Sequence, residues 1–153
     1  GYRTGAALVE LSPSGDGVAA REVYFLDGAT LQNHHGGLVL GGNHVYGGHG
    51  QNNGFPICVE FTTGKLKWEE RAIGAASLCY ADGRLYLHGE NGEVALVEPS
   101  PESYREKGRF TPPDQPRHDN QMEKAWAYPV VANGRLYIRD LDTLWAYDIK
   151  EKR

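Results

Sequence analysis

The sequence predicts an all-β protein assembled from repeated four-stranded units, and three observations carry this prediction. The 153 residues include 20 glycines and more tyrosines (9) than phenylalanines (4), a balance typical of short strands joined by tight turns. No window combines a sustained helical period with capping residues. Two segments of the chain also repeat each other without a gap, which is the mark of a repeat architecture.

The repeat relates ADGRLYLHGENGEVALVE (81–98) to ANGRLYIRDLDTLWAYDI (132–149) at a shift of 51 residues. A third copy, GGNHVYGGHGQNNGFPICVEF (41–61), aligns Val45-Tyr46 with Leu85-Tyr86, and it needs three extra residues before Cys58 takes the place of Ala95. We expect equivalent positions in the two gapless copies, with Gly83 and Gly134 in matching turns and Tyr86 and Tyr137 on matching strands.

Each unit resolves into four short strands in order. The first strand (GLVLGG, SLCYAD or PVVAN) leads into a Gly- or Asn-bearing turn and an alternating second strand (HVYGG, RLYLHG or RLYIRD). The third strand is FPICVEF, EVALVEP or TLWAYDI, and the polar fourth strand (KLKWEER or YREKGRF) suits a sheet edge. Four-stranded units of this length predict β-propeller blades, with a stacked β-sandwich as the alternative.

The unit boundaries predict a partial β-propeller of about three to four blades. They are the end of one blade at 1–26, blades at 35–71 and 74–110, a connector at 111–126, and a last, incomplete blade at 127–150. The opening AALVELSP (6–13) matches VALVEPSP (94–101), so the chain is expected to begin partway through a unit.

One stretch, CVEFTTGKLKW, resembles the tryptophan-docking repeat Ala-x-Asp-x-x-Thr-Gly-x-x-x-Trp of the pyrroloquinoline-quinone-type propellers. Thr63, Gly64 and Trp68 fall on that pattern, whereas Cys58 and Glu60 replace its Ala and Asp. The chain thus resembles bacterial propeller-repeat proteins, including outer-membrane-assembly-lipoprotein-like propellers. The resemblance implies that Trp68 stacks on a neighbouring blade and that Gly64 allows a tight turn.

The same resemblance implies a location in the periplasm or outside the cell and a complete propeller of about seven or eight blades. The chain is then expected to be the C-terminal part of such a propeller. Its partner would be the remaining half of the propeller or a second copy of the chain, because an incomplete set of blades leaves sheet faces exposed.

Charge and hydropathy exclude two classes of partner. The net charge is −4 and there is no concentrated basic run, so we expect no nucleic-acid partner. No apolar stretch approaches the ~18 residues of a membrane-spanning helix. The start GYRTGAALVEL lacks the features of a signal peptide.

Three polar segments are predicted to share one face, because the ends of strands alternate in a four-stranded meander. They are the glycine-rich loop 47–54 and the connectors 27–37 and 111–126. The candidate contact residues for a ligand or partner are His34, His35, His49, Asn52, Asn53 and His118. A protein or carbohydrate ligand, a metal ion and plain loops all remain open for this face, but Asn52 and Asn53 suit an uncharged polar ligand better than a metal, and we predict no metal site.

Catalytic signatures are missing from the sequence. A quinone-cofactor dehydrogenase would need acidic calcium ligands and often a vicinal disulfide, whereas Cys58 and Cys79 stand 21 residues apart. These cysteines are read as buried thiols, with a disulfide left open. Asp140 and Asp142 are read as turn residues, and the equivalent His88 and Arg139 as exposed.

Two functions therefore compete. The favoured one is a non-catalytic binding or scaffold propeller with no cofactor. The alternative is part of a quinoprotein-like oxidoreductase whose catalytic residues lie outside this chain, with pyrroloquinoline quinone and calcium as cofactors.

Overall fold

The computed structural model describes Gly1 and residues 3–34, 36–50 and 54–150, and these residues contain strands and turns but no helix. The strands, in chain order, are β1 Ala6–Ser14, β2 Gly17–Leu26, β3 Leu38–Gly41, β4 His44–His49, β5 Phe55–Glu60, β6 Leu66–Glu69, β7 Ala76–Ala81, β8 Arg84–Gly89, β9 Val94–Glu98, β10 Arg105–Phe110, β11 Val130–Ala132, β12 Arg135–Asp140 and β13 Thr143–Asp148.

The strands form four antiparallel meanders, each made of neighbours in the sequence. Sheet I is the hairpin β1–β2, sheet II is β3–β6, sheet III is β7–β10, and sheet IV is β11–β13. Two sheets thus have four strands, one has three and one has two. The prediction of an all-β fold of four-stranded propeller blades is confirmed.

The first two strands of sheets III and IV match as the repeat predicts. Asp82-Gly83 and Asn133-Gly134 each join two strands with both residues at positive φ (47° and 71°; 53° and 75°). Such a two-residue turn suits the right-handed twist of a hairpin, and Gly and Asn tolerate its backbone better than other residues.

The third strands depart from the gapless alignment by one residue. Tyr86 pairs with Leu96, whereas the equivalent Tyr137 pairs with Ala146. Leu96, rather than Ala95, is therefore the structural counterpart of Ala146. The reason is the preceding connection, which takes residues 90–93 in sheet III but only 141–142 in sheet IV.

Apolar side chains between successive sheets form the core. Tyr46 of sheet II packs with a cluster that includes Leu78, Leu87 and Val97 of sheet III. Tyr86, at the matching position of sheet III, packs against Leu136 and Ile138 of sheet IV. A tyrosine of the second strand thus covers the next sheet at both junctions, Tyr46 in one and Tyr86 in the other. 

Trp68 contacts the neighbouring sheet, and Gly64 lies at a positive-φ turn close to sheet I. Trp68 is half-buried, and its indole Nε1 donates a hydrogen bond to the Ser100 carbonyl beyond the end of β9, at 2.7 Å. Gly64 has a φ of +73°, and a Cβ there would lie 2.8 Å from the Tyr24 ring of sheet I. Glycine is therefore required at 64 both for its backbone and for the close approach of sheet I.

Both cysteines are free thiols, so the open alternative of a disulfide is not realised. Cys58 is buried between sheets II and III, and burial raises its thiol pKa to about 11. Burial also raises the pKa of the half-buried Cys79.

The two outer sheets each leave an apolar face in solvent. On the hairpin of sheet I, register places Leu11 opposite Ala20 and Pro13 opposite Val18. The other side of the hairpin carries the pair Ser12 and Ala19 and the Glu10–Arg21 ion pair. Leu11 and Val18 are 67% and 69% exposed. We call this the sheet I face, and its exposed members are Ala7, Val9, Leu11, Pro13, Val18, Ala20, Phe25 and the charged Glu22, which pairs with Val9.

The corresponding sheet IV face lies at the other end of the stack. Val130, Tyr137 and Ala146 are paired side by side across its strands, and Val130 and Leu144 are largely exposed. The exposed Arg139, paired with Leu144, lies on the same side and makes this face only partly apolar. Across the part of the chain that is described, no helix is long and apolar enough to span a membrane.

Candidate functional site

The three segments predicted to share a face line one cavity between sheets II and III. The free space inside it is about 10 Å³, enough for about one water-sized group. Connector 27–37 contributes His34 and Gly36, segment 47–54 contributes Gly48 and Gly50, and connector 111–126 contributes Trp126. The remaining lining residues are Ala75, Ala76, Ser77 and Glu90.

Connector 27–37 is fixed to segment 47–54 by main-chain and amide hydrogen bonds. The Gly50 amide donates to the Gln32 carbonyl at 2.8 Å, and Asn33 forms an isolated parallel bridge with Gly50. The side-chain amide of Asn33 donates to the carbonyls of Gly37 and Gly48, both at 3.0 Å. One wall of the cavity therefore consists of two backbone segments that are hydrogen-bonded to each other.

His49 has a structural position in this wall rather than an exposed one. Its Nδ1 accepts a hydrogen bond from the Gln32 amide at 3.0 Å, and its ring stacks on Phe55 with 4.8 Å between centroids. The Arg71 guanidinium also lies 4.8 Å from the Phe55 centroid. Burial lowers the pKa of His49, so this arrangement favours the neutral imidazole.

The glycine-rich loop is shorter than the sequence predicts, because Gly47, Gly48 and His49 belong to β4. Gly47 and Gly48 are both buried. A Cβ on Gly48 would lie 2.3 Å from the Ala76 carbonyl of sheet III, and one on Gly47 would lie 2.4 Å from Leu38. Gly48 therefore permits close packing of sheets II and III, and Gly47 leaves room for Leu38 of the neighbouring strand in sheet II. Turn geometry applies at Gly50, which has a φ of +76°.

The opposite wall is built around Glu90 and Trp126. The Glu90 amide donates to the Ala75 carbonyl at 2.9 Å, and the Glu90 carbonyl accepts from the Ala125 amide at 3.3 Å. The indole Nε1 of Trp126 donates to the Glu90 carboxylate at 3.2 Å. His34 reaches across to this wall and meets Trp126 edge-on, with 5.6 Å between ring centroids.

His118 lies apart from the cavity lining and holds its connector to sheet IV. Its Nε2 lies 3.0 and 2.9 Å from the two carboxylate oxygens of Asp140, which is only 3% exposed. Asp140 is the last residue of β12, so its contact with His118 attaches connector 111–126 to the end of that strand.

His88 corrects another expectation, since it is fully buried while its repeat equivalent Arg139 is exposed. The Ala127 carbonyl lies 3.0 Å from His88 Nδ1 and accepts a hydrogen bond from the Ser77 hydroxyl at 3.0 Å. Burial lowers the pKa of His88. The chain after Trp126 covers His88, whereas no following sheet covers Arg139 among the residues described.

The candidate residues of the sequence thus divide into three groups. His34 lines the cavity, while His49 and His118 are engaged in contacts that hold the surrounding segments. His35, Asn52 and Asn53 lie outside the described residues, so their part in the site stays a prediction. Within residues 3–34, 36–50 and 54–150, no three His, Cys, Asp or Glu side chains are grouped as metal ligands would be.

Sequence reasoning missed Glu90, Ser77 and the lining role of Trp126. A signal for Glu90 was available, since the turn ENGE lies between strands two and three as the glycine-rich loop does in the preceding unit. Trp126 gave no such signal, because an indole in a polar connector is equally compatible with packing.

Comparison with known proteins supports the fold. No known protein family and no curated protein matches the sequence. Among solved structures, a europium-containing methanol dehydrogenase matches with a TM-score of 0.52 and 17% identity over 78% of this chain. BamB from Moraxella catarrhalis matches with a TM-score of 0.50 and 10% identity over 94% of this chain.

Both structures are β-propellers, and at these identities the likeness concerns the fold alone. The chain spans 23% of the length of the methanol dehydrogenase and 60% of that of BamB. The chain is therefore a partial β-propeller of the type that the four meanders indicate.

Proposed function

We propose that the protein is a non-catalytic binding or scaffold module whose contact surface is the face formed by 27–37, 47–54 and 111–126. The observation that carries this proposal is the cavity to which all three segments contribute. Hydrogen bonds between backbones hold the first two segments together, and such preorganisation lowers the entropy lost on binding. Binding residues are commonly found on loops positioned by a rigid scaffold.

A further part of the proposal concerns the sheet I and sheet IV faces, which present exposed apolar side chains. We propose that further propeller blades cover them, from a second copy of the chain or from the remaining part of a propeller. Contiguous apolar surface of this kind marks an interaction site. The greater length of both propeller relatives agrees with this proposal.

The resemblance of CVEFTTGKLKW to bacterial propeller repeats also supports a location in the periplasm or outside the cell. A protein partner suits this face better than an enclosed small molecule does, because the cavity has free space for only about one water-sized group. A carbohydrate is the other polar ligand that the segment GQNNG favours.

Site-specific photo-crosslinking tests the contact surface. A crosslinking amino acid at position 52 or 121, on the proposed face, is compared with one at exposed position 67 on the edge strand β6. The proposal expects a discrete covalent adduct, formed in cells, from positions 52 and 121 but not from 67. Equal labelling at all three positions would remove support for a dedicated face.

The second candidate function is part of a quinoprotein-like oxidoreductase, which the structural likeness to a methanol dehydrogenase favours. Its test is to add pyrroloquinoline quinone and a calcium salt, remove the excess by gel filtration, and record the cofactor absorbance retained by the protein. Retention at one cofactor per chain would favour this function over the scaffold.

A further inference from the structure

We propose that the free edge of β1 accepts a further β-strand, antiparallel to β1, whose tyrosine side chain enters the gap between sheets I and II. The incoming strand is the second strand of a further propeller blade, and it carries a basic residue two positions before the tyrosine. This inference rests on the proposal that further blades pack against this chain, and it adds the strand, its register and its sequence pattern.

The first argument is the unpaired edge of β1. The segment AALVELSP (6–13) matches VALVEPSP (94–101), so β1 corresponds to β9, the third strand of sheet III. In sheets II and III the third strand has a neighbour on both sides, whereas among the described residues β1 pairs with β2 alone. One row of its backbone N–H and C=O groups is therefore open to strand pairing, a common way for a sheet to bind an extended polypeptide.

The second argument is the gap beside this edge. Between sheets I and II there is about 110 Å³ of free space, against about 10 Å³ in the cavity between sheets II and III. Its lining is largely apolar and includes Leu8 of β1, Leu38 of β3 and Val45 of β4. Because an apolar cavity of about 150 Å³ is known to hold benzene, a gap of this order suits an aromatic ring that enters beside β1.

The next junction shows which side chain covers the equivalent position. Leu38 and Leu78 correspond to each other, since each pairs with the residue that follows the tyrosine of its own second strand. Leu78 is only 4% exposed and lies in the cluster that contains Tyr46, from the second strand of the preceding sheet. Leu38 is 47% exposed. A tyrosine on a second strand added to sheet I would cover Leu38 as Tyr46 covers Leu78.

The register of the incoming strand follows from the same comparison. Tyr86 of the second strand pairs with Leu96, and Leu96 corresponds to Leu8 in the two matching segments. The incoming tyrosine is therefore opposite Leu8, which lines the gap. In an antiparallel pair, the residue two positions before that tyrosine is then opposite Glu10.

Glu10 provides charge complementarity at that position. In sheets II and IV the residue two positions before the tyrosine is basic and pairs with an acidic residue of the third strand, His44 with Glu60 and Arg135 with Asp148. Glu10 is the equivalent acidic residue of β1, it is exposed, and its ion pair with Arg21 comes from the β2 side. A basic residue on the open side would add an opposite-charge pair across the two strands.

A second copy of the chain is a poor source of this strand. The three segments with the required pattern, HVY (44–46) and RLY (84–86 and 135–137), lie in β4, β8 and β12. Each of these strands is already paired on both sides, so releasing one would disrupt its own sheet. We therefore assign the strand to another polypeptide segment built of propeller repeats.

The test is a titration of the ¹⁵N-labelled protein with the peptide GRLYIRD, which has the sequence of 134–140 and blocked ends, followed by NMR. The proposal expects saturable shifts of the amide signals of β1 and of Leu38, but not of those of sheet IV. Two further peptides are N-methylated at alternate positions. Because successive amides of a strand point to opposite edges, one of these two peptides should lose binding and the other should keep it.

Changes in the peptide test the two side-chain positions without altering the fold of the protein. Replacing its tyrosine by alanine should weaken binding by about tenfold or more, because the gap then stays unfilled. Replacing its first arginine by glutamine should weaken binding by about two- to fivefold. That second difference should disappear in Glu10→Gln and persist in the matched control Glu22→Gln, an exposed site on the opposite side of the hairpin.

Two outcomes overturn the proposal: no saturable binding of GRLYIRD, or equal binding of the tyrosine and alanine peptides. If the peptide reverses an association of the chain with itself, a second copy occupies the edge and the assigned source is wrong. If the peptide fails while changes on the sheet I face still alter association, packing of further blades stands and this strand site falls. If the peptide binds but the chain neither associates nor co-purifies with another protein, the proposed packing of further blades falls instead.

Discussion

The indole N–H of Trp68 and the main-chain carbonyl of Ser100 form a 2.7 Å hydrogen bond that crosses from sheet II to sheet III. The same indole packs against Tyr46 and Tyr104, with centroid separations of 6.2 and 5.9 Å. One residue thus combines a directional contact with apolar packing at the junction of two sheets.

Replacing Trp68 should therefore reduce the stability of the fold, and two variants separate the contribution of its packing from that of its hydrogen bond. Trp68→Ala should lower the free energy of unfolding by about 3–5 kcal/mol, as other large-to-small changes in packed sites do. Trp68→Phe keeps most of the packing but leaves the Ser100 carbonyl without this donor, and it should lose about 1–2 kcal/mol. Urea unfolding followed by circular dichroism measures both, and a loss near zero for Trp68→Ala would show that the docking role is wrong.

Gly48→Ala tests the close approach of sheets II and III. The added methyl group would meet the Ala76 carbonyl, so the sheets must separate, and we expect a loss of about 1–3 kcal/mol, as overpacking costs in other cores. Gly108→Ala is the matched control in strand β10, because nothing lies within 4 Å of its Cβ position. That variant should be neutral or slightly stabilising in the same urea titration. Equal losses in both variants would contradict the packing argument.

Stability should fall on mild acidification because of two buried histidines. Burial lowers the pKa of both His49 and His88 in the folded protein, so below the ordinary histidine pKa of about 6.5 the unfolded chain binds more protons. The stability that these neutral rings contribute is present above that pKa and is lost as the pH falls toward the lowered values.

The measurement is the free energy of unfolding between pH 7.5 and 5.5, a window that lies above the carboxylate titrations. His49→Gln and His88→Gln should each flatten the pH dependence, whatever their effect at pH 7.5. His44→Gln, at a half-buried site on the same strand as His49, is the control. An unchanged slope in both test variants would rule out this explanation.

Association through the sheet I face should depend on which side of the hairpin is altered. The double variant Leu11→Glu, Val18→Lys adds two opposite charges to the apolar side, and it should abolish concentration-dependent association in light scattering. Ser12→Glu, Ala19→Lys adds the same charges to the polar side of the same ribbon and should associate as the parent does. If the parent protein stays monomeric at all concentrations, and no other protein co-purifies with it from cell extracts, the proposal that further blades cover the sheet I face would be contradicted.

The strand and turn pattern was predictable where local chemistry decides the conformation. Asp82-Gly83 and Asn133-Gly134 specify their turns directly, and Tyr86 of the first RLY segment packs on the next sheet. The offset at Leu96 was not predictable, because four residues and two residues can both close the connection that precedes the third strand.

The sequence predicted which segments lie together around the cavity, but not the roles of their individual residues. Alternating strand ends placed 27–37, 47–54 and 111–126 on one face, and all three line the cavity. The roles of single residues depended on contacts between distant parts of the chain. His49 is occupied by the Gln32 amide and Phe55, and His88 is covered by the chain around Ala127. A glycine that admits a neighbouring carbonyl, such as Gly48, has the same sequence signature as a glycine in a turn.

The sheet I and sheet IV faces are made of different residues, so no rotation by half a turn can bring one onto the other in a symmetric pair. Copies that joined the sheet I face of one to the sheet IV face of the next would associate head to tail, and each addition would leave one face of each kind uncovered. Such growth ends only when the rotation per copy closes a ring, or when a chain with a different terminal face caps it. Rotational closure, rather than the strength of any single contact, would then set the number of copies in the assembly.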